Sequence, residues 1–402
     1  MTEQRLRILV LSPNPPEAVT NGISPRVKKF VSHLARSSDV TLVHWASELE
    51  VAAPVEPLDS IRRIPCAPPP PPIGRGPRSA RQRLRLGWPY PVLSGMQLAV
   101  RELCLKQSFD ACLAFHPALL RPALELAKLP VVADLIDEPV SAAWRDLLTV
   151  RGAALKLRHL RLIMQLVRYL RTYCPRASAC CVVSEAEARG LRRLAPATRV
   201  EVVPSGVDTE HFCPSAESPE PRSLLFVGNL SFPPNQAAVL FFARRVLPHL
   251  ERLVPDFRWF VVGPSPSCEV TALASDPRIV VTGYVNDIRP YLRRCMVFVS
   301  PLVSGGGIKT KVLEAWAMAK PVVATTLGSA GLAARPDFNL VVATNPEMIA
   351  RAVAELFSDP ERAQRIGLAG RETVLERFSW HQHAAHLEEL LFQAAGVARS
   401  AD

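Results

Sequence analysis

Short, unbroken apolar runs alternate with amphipathic stretches from one end of the chain to the other. RILVLS (7–12), VTLVHWA (40–46), ACLAF (111–115), VVADLI (131–136) and ACCVVS (179–184) are apolar at nearly every position. So are RSLLFVGN (222–229), FRWFVVG (257–263), RIVVTGY (278–284), MVFVSP (296–301) and PVVATT (321–326). A strand with one wet face alternates apolar and polar residues, whereas a continuous β-branched run marks a parallel strand covered on both faces. The helical stretches between the runs supply that cover. The pattern therefore predicts an α/β protein with two doubly wound parallel sheets, each Rossmann-like, facing across a cleft. A length of 402 residues fits two domains.

The polar, proline-bearing stretch FCPSAESPEPRS (212–223) reads as the linker between a domain over 1–211 and another over 224–377. IPCAPPPPPIGRGP (64–77) reads as a stiff polyproline loop, either a spacer or a flap over a ligand. Ligands of such sheets bind beyond the carboxyl ends of the strands, so the cleft is where chemistry is expected.

Composition narrows the class. A hydrophobic share of 48% supports real cores, and 21% charged residues argues against disorder. No apolar run approaches the roughly 18 residues of a membrane-spanning helix. The opening MTEQRLRILVLSPNPP has too short an apolar run for a signal peptide, so a cytoplasmic protein is expected. Nine cysteines show no CxxC and no metal spacing, which suits reduced, buried thiols.

The net charge of +11 is unevenly placed: residues 1–201 hold 29 Lys and Arg against 17 Asp and Glu, whereas 202–402 hold 19 against 20. Much of the excess lies in RGPRSARQRLRLGW (75–88) and RGAALKLRHLRLIMQLVRYLRTYCPR (151–176). In the second, Leu155, Leu162, Ile163, Leu166 and Leu170 share a helical face flanked by Arg158, Arg161, Arg168 and Arg171. Such a helix either rests on an anionic membrane surface or packs in a core with its arginines solvated. Aromatics for base stacking are sparse and no recognition motif is present, so no nucleic-acid partner is expected.

SGGGIKTKVLEAWAMAKPVV (304–323) joins the strand ending at Pro301 to a helix starting near Thr310. Bare glycine backbone at Gly305, Gly306 and Gly307 permits close approach, and a helix N-terminus draws a phosphate. Lys309 and Lys311 add charge. Glu314, one turn in, can accept two hydrogen bonds from the vicinal diol of a ribose. Together these groups suit a nucleotide diphosphate. The ordinary alternative is a glycine-rich turn with a solvated Glu314 paired to Lys311 three residues before it. A P-loop needs glycine immediately before its lysine, and Ile308 stands there.

VEVVPSGVDTEHFCP (200–214), LFVGNLSFPPNQAAVLFF (225–242) and VTGYVNDIRPYLRRCMVFVSPL (281–302) precede that stretch in order. With them the chain resembles the retaining GT-B glycosyltransferases of family 4. Within that family it looks most like the sugar transferases of exopolysaccharide and PEP-CTERM gene clusters. The resemblance is strong over 179–333, weaker over 7–150, and ends at FSWHQHAAHLEELL (378–391).

The resemblance implies that the second domain binds a nucleotide-sugar donor, the first binds a glycan or lipid-linked acceptor, and the helix within 378–402 crosses back to the first domain. Glu314 matches the ribose-binding glutamate of the family's pair, whereas the partner glutamate's position is Gly306. The basic pair often found after the glycine of the second domain's first strand is missing: Gly228 is followed by Asn229. Lys309 and Lys311 are the expected substitutes at the pyrophosphate, Lys309 in a catalytic role. Gly22, in NPPEAVTNGISPR (14–26), would let that loop approach donor and acceptor. His116 falls where the family places a histidine near the transferred sugar, or is only a turn residue. Asp137 and Glu138 either orient an acceptor hydroxyl or cap a helix.

The implied reaction transfers a hexose with retained configuration at the inner face of a membrane, with no metal or other cofactor. Two alternatives stand beside it: a nucleotide-sugar 2-epimerase on the same frame, and a non-catalytic nucleotide-sugar binder prompted by Gly306.

Overall fold

The computed structural model describes residues 5–15, 23–45, 61–66, 90, 94–150, 152–305 and 308–397. The chain forms two compact units. Unit one comprises residues up to Pro204 together with those from Trp380 onward; unit two is Ser205–Ser379.

Unit one is built on seven parallel strands: β1 (Leu6–Ser12), β2 (Ser38–Trp45), β3 (Arg62–Cys66), β4 (Ala111–Phe115), β5 (Val131–Ile136), β6 (Ala179–Val182) and β7 (Val200–Val202). They lie in the order β3-β2-β1-β4-β5-β6-β7. Its described helices are α1 (Ile23–Ser37), α2 (Ser94–Lys106), α3 (Pro117–Pro122), α4 (Pro139–Thr149), α5 (Ala153–Tyr173), α6 (Glu185–Leu194) and, at the C-terminal end, α14 (Trp380–Ala395).

Unit two has β8 (Ser223–Val227), β9 (Arg258–Val262), β10 (Ile279–Gly283), β11 (Val297–Ser300), β12 (Val322–Ala324) and β13 (Val341–Val342), all parallel, in the order β10-β9-β8-β11-β12-β13. Its helices include α7 (Pro233–Phe241), α8 (Leu247–Leu253), α9 (Cys268–Thr271), α10 (Arg289–Arg294), α11 (Thr310–Ala317), α12 (Pro346–Ser358) and α13 (Pro360–Arg377). In both sheets the strand order reverses beside the first strand, between β1 and β4 and between β8 and β11. Those reversals are the switch points where doubly wound sheets open a crevice.

The unbroken apolar runs are explained by cores on both faces. Leu9, Leu11, Cys112 and Ala114 enter one cluster while Ile8, Val10, Leu113 and Phe115 enter the opposite one. Unit two repeats this with Leu224 and Phe226 against Leu225 and Val227. The terminal helix α14 completes the second core of unit one through Ala384, Leu387, Leu390 and Leu391, and Trp380 meets Phe30 edge to face at 5.6 Å. Glu388, buried there, faces His33 at 3.4 Å and takes the Ser37 hydroxyl.

The stretch 212–223 belongs to unit two. Glu220 pairs with Arg258 and Arg294, Val207 N donates to Phe378 O, and Ser223 already begins β8. Three strands were not foreseen. β3 carries two arginines and a proline, which an edge strand tolerates, and it takes the first residues of the expected polyproline loop. Residues 67–77 and the basic stretch 75–88 lie outside the described residues. β7 and β13 span only three and two residues, too short for a pattern. The expectation of buried thiols needs correction at Cys213 and Cys268, which are exposed.

The apolar face foreseen on α5 is also corrected. Ile163, Leu166 and Leu170 are buried, joined by Tyr169 and Tyr173, but Leu155 and Leu162 are 42% and 36% exposed. Burial begins only where Ala143 and Leu147 of α4 meet Ile163 and Leu166. Residues 152–158 are all exposed.

Candidate active site

Unit two assembles its site at the β8/β11 switch point. β8 ends at Val227, and Gly228 turns the chain toward α7, whose first turn holds Asn235. A Cβ at Gly228 would lie 2.7 Å from Asn235 Nδ2 and 2.8 Å from Lys311 Nζ, so glycine there is what lets the two meet. Lys311 Nζ donates to Asn235 Oδ1 at 2.5 Å and stands 4.5 Å from the centre of the Phe226 ring. Asn235 Nδ2 donates to Asn229 O at 2.8 Å, which fixes the amide so that its oxygen faces the lysine.

Gly305, in the loop after β11, has φ +98 and packs on Pro234 at the start of α7; a side chain there would be strained and crowded. Gly306 and Gly307 lie outside the described residues. Burial pushes Lys311 down to about 7, against the pull of Glu314, with Lys309 lowering it further. Burial likewise pushes Glu314 up to about 7, against the pull of Lys311. Lys309 precedes α11 as its N-cap residue and is itself buried.

The structure thus gathers Gly228, Gly305, Lys311 and Glu314 around the first turns of α7 and α11. The simple pairing of Lys311 with Glu314 alone is replaced by a hydrogen bond to Asn235. Sequence reasoning gave Asn235 no role. Its signal was position: an amide in the first turn of the helix that follows Gly228, within reach of Lys311.

In unit one, His116 follows β4 with φ 76 and ψ 139, a conformation that few non-glycine residues adopt. Its Nδ1 accepts from Ala118 N at 3.2 Å and caps α3, and Tyr90 stands edge-on at 5.9 Å. Burial pushes the ring down to about 4. A neutral ring that accepts at Nδ1 carries its proton on Nε2, so His116 is a hydrogen-bond donor and not a base. Tyr169 of α5 braces this corner, donating to Pro117 O at 2.8 Å and accepting from Arg121 N at 3.1 Å. Histidine NMR should find the Nε2–H form with no ring titration between about pH 5.5 and 8. A midpoint near the ordinary value of about 6.5 would refute that assignment.

Glu138 resolves toward the helix. It is buried at the N-cap of α4, where Oε1 accepts from Val140 N at 2.5 Å and Oε2 from Ser141 N at 2.9 Å and Ser141 Oγ at 2.5 Å. This is the helix-capping arrangement, one of the two readings that the sequence allowed for Glu138. Asp137 beside it is half-buried. Gly22 lies outside the described residues. The sequence also gave no weight to Arg26 and Asp134, which form a fully buried pair. Arg26 Nε reaches Asp134 Oδ2 at 2.6 Å, its Nη2 reaches Val203 O at 2.7 Å, and its guanidinium stands 4.6 Å from the Phe30 ring centre. Asp134 O in turn accepts from His116 N at 2.8 Å.

Two doubly wound parallel sheets in these strand orders make the GT-B class of fold. Residues 221–359, which hold the whole unit-two site, match the family model described as Glycosyl transferases group 1. A GDP-mannose-dependent alpha-(1-6)-phosphatidylinositol monomannoside mannosyltransferase of Mycolicibacterium smegmatis is 30% identical over 220 residues, 49% of this chain and 57% of that protein. The alpha-maltose-1-phosphate synthase of the same organism is 31% identical over 253 residues, 54% of this chain and 63% of that protein. The chain thus spans about three fifths of the curated relatives it matches.

Among solved structures, sucrose-phosphate synthase from Thermosynechococcus elongatus superposes with a TM-score of 0.75 at 17% identity, covering 97% of this chain and 99% of that one. Anabaena HepE in complex with UDP and glucose superposes at 0.68 and 16% identity, covering 96% and 99%. At such identities the likeness is one of fold.

Proposed function

We propose that the protein is a retaining glycosyltransferase that moves a sugar from a nucleotide diphosphate to a glycan acceptor carried on a lipid. One observation carries the reading: at the β8/β11 switch point Gly228 and Gly305 bare the backbone beside an ammonium, Lys311, that Asn235 holds in place, with Glu314 one turn further along α11. An anion fits against that ammonium and the helix start, and a diol fits a carboxylate one turn inside. The relatives and fold neighbours lend support: one uses GDP-mannose by name, and another holds UDP and glucose.

In this reading Glu314 takes the ribose hydroxyls, and Lys311, with Gly305, takes the diphosphate. Lys309 adds positive field at the helix start. His116 offers Nε2–H to a hydroxyl of the transferred sugar, and Asp137 orients the acceptor. The bond from the anomeric carbon to the phosphate oxygen breaks as the acceptor oxygen bonds to that carbon on the same face. The departing phosphate takes the acceptor's proton, and Lys311 offsets the charge that develops on it. In this reading Lys311, Lys309 and the start of α11 carry the charge stabilisation without a metal. Work in exopolysaccharide or cell-surface glycan synthesis, at the inner face of a membrane, follows from a lipid-borne acceptor.

Incubation with UDP-, GDP-, ADP- and TDP-sugars tests this. We expect one donor to release nucleotide, with a new glycosidic bond when acceptor lipid is added. Conversion of the sugar without such a bond points to an epimerase, and binding with no turnover of any donor points to a scaffold.

A further inference from the structure

The inward face of α5 is spent on the core of unit one, yet its opposite face is also apolar. Leu157, Leu160 and Met164, spaced three and four residues apart, share one side of the helix and are 67%, 39% and 52% exposed. A soluble helix ordinarily turns charge outward at such positions. Here the cations sit beside the stripe instead: Lys156 on one flank, Arg168 and Arg161 on the other, with Arg158 further round. Residues 151–176 contain no aspartate or glutamate. The adjoining helix α4 exposes Trp144 and Leu148 at 50% and 73%. No described helix is long and apolar enough to cross a membrane.

We propose that the outward stripe Leu157–Leu160–Met164 of α5 is a docking face for an anionic lipid bilayer, with the leucines and methionine entering the acyl boundary and the flanking cations meeting the head groups. The pattern is that of an interfacial helix: a narrow apolar side, a strongly basic surround and no acid to repel the surface. A protein partner of acidic character would be met by salt bridges and would gain little from three bare apolar side chains in a row. The inference rests on the reading of a membrane-borne acceptor, but not on the donor site. The opposite end of the same helix carries Tyr169, which braces the turn after His116. A helix lying on lipid thus reaches the sugar-side corner of its own unit.

Co-sedimentation of the full chain with phosphatidylcholine vesicles, with and without phosphatidylglycerol, tests the face. Wild type should pellet with the anionic vesicles. Leu157→Asn combined with Met164→Asn should weaken partitioning at least about tenfold, because each loses buried apolar area. Lys156→Gln combined with Arg168→Gln should weaken it at low salt, with the difference from wild type vanishing at about 0.5 M salt, where surface charge is screened. Both variants alter exposed positions and should keep wild-type circular dichroism and nucleotide binding. Loss of vesicle binding with nucleotide binding intact supports the face, whatever the donor proves to be. Absence of wild-type binding to anionic vesicles overturns it, as does undiminished binding by the double asparagine variant. A wild-type dimer that the asparagine variant dissolves, with vesicle binding unchanged, would assign the stripe to a second copy of the chain.

Discussion

Glu314→Ala should remove nearly all donor binding while leaving the fold intact. Two hydrogen bonds from a diol to a carboxylate are worth about 1.5–3 kcal/mol each, so their loss weakens nucleotide diphosphate binding by about a hundredfold or more. Titration calorimetry with the nucleotide found in the donor panel measures this directly. Affinity should also peak near pH 7. Lys311 is an ammonium only below about 7, so as pH rises beyond that the diphosphate must re-protonate it, and affinity falls. Glu314 is a carboxylate only above about 7, so as pH falls the diol loses its acceptor. The slopes approach tenfold per pH unit, roughly the limit for one proton on each side. Lys311→Met should flatten the alkaline side and leave the acidic side. An affinity indifferent to pH between about 6 and 8 in wild type, or a Glu314→Ala variant that binds normally, would remove the nucleotide from this corner.

The fold was legible because its signal is global. Each unbroken apolar run became a parallel strand with cores on both faces, as the split of Leu9 and Leu11 from Ile8 and Val10 shows. The runs fixed the type of sheet, and edge strands such as β3 escaped because one open flank tolerates arginine and proline. The site was legible in part. Glycines and a lysine–glutamate spacing can be seen in one dimension, and Gly228, Gly305, Lys311 and Glu314 do come together. What a side chain does once placed cannot be seen that way. Glu138 and Asp137 are adjacent in sequence, but only the start of α4 determines that Glu138 is the cap. Asn235 lies 76 residues from Lys311, and no local pattern announces their bond. The α5 face shows the opposite failure: of the side that the periodicity named, Ile163, Leu166 and Leu170 went to the core while Leu155 and Leu162 stayed exposed, and the outward stripe lay behind it.

Arg26 and Asp134 are 108 residues apart and carry the largest stability effect expected in unit one. Both side chains are fully buried, and three of the guanidinium's contacts are accounted for by Asp134 Oδ1, Asp134 Oδ2 and Val203 O. A buried pair is weak evidence for net stability, since a well-packed apolar pair can do as well. Removing one partner is different, because it strands a charge without water. Arg26→Met should therefore cost about 3–5 kcal/mol. For a unit of this size that lowers the unfolding midpoint by roughly 6–20 °C, at about 2–4 °C per kcal/mol. Adding Asp134→Leu to Arg26→Met removes the stranded carboxylate and should restore much of the loss, which a packing defect at Arg26 would not permit. The double variant should still impair turnover. Asp134 O receives His116 N, Asp134 Oδ1 receives Ile136 N at 3.3 Å, and Ile136 has the unusual φ of 68, so the carboxylate shapes the strand ends that present His116. Thermal unfolding of wild type, the single and the double variant, followed by circular dichroism, separates the effects: a midpoint that Arg26→Met leaves unmoved would show the pair to be dispensable.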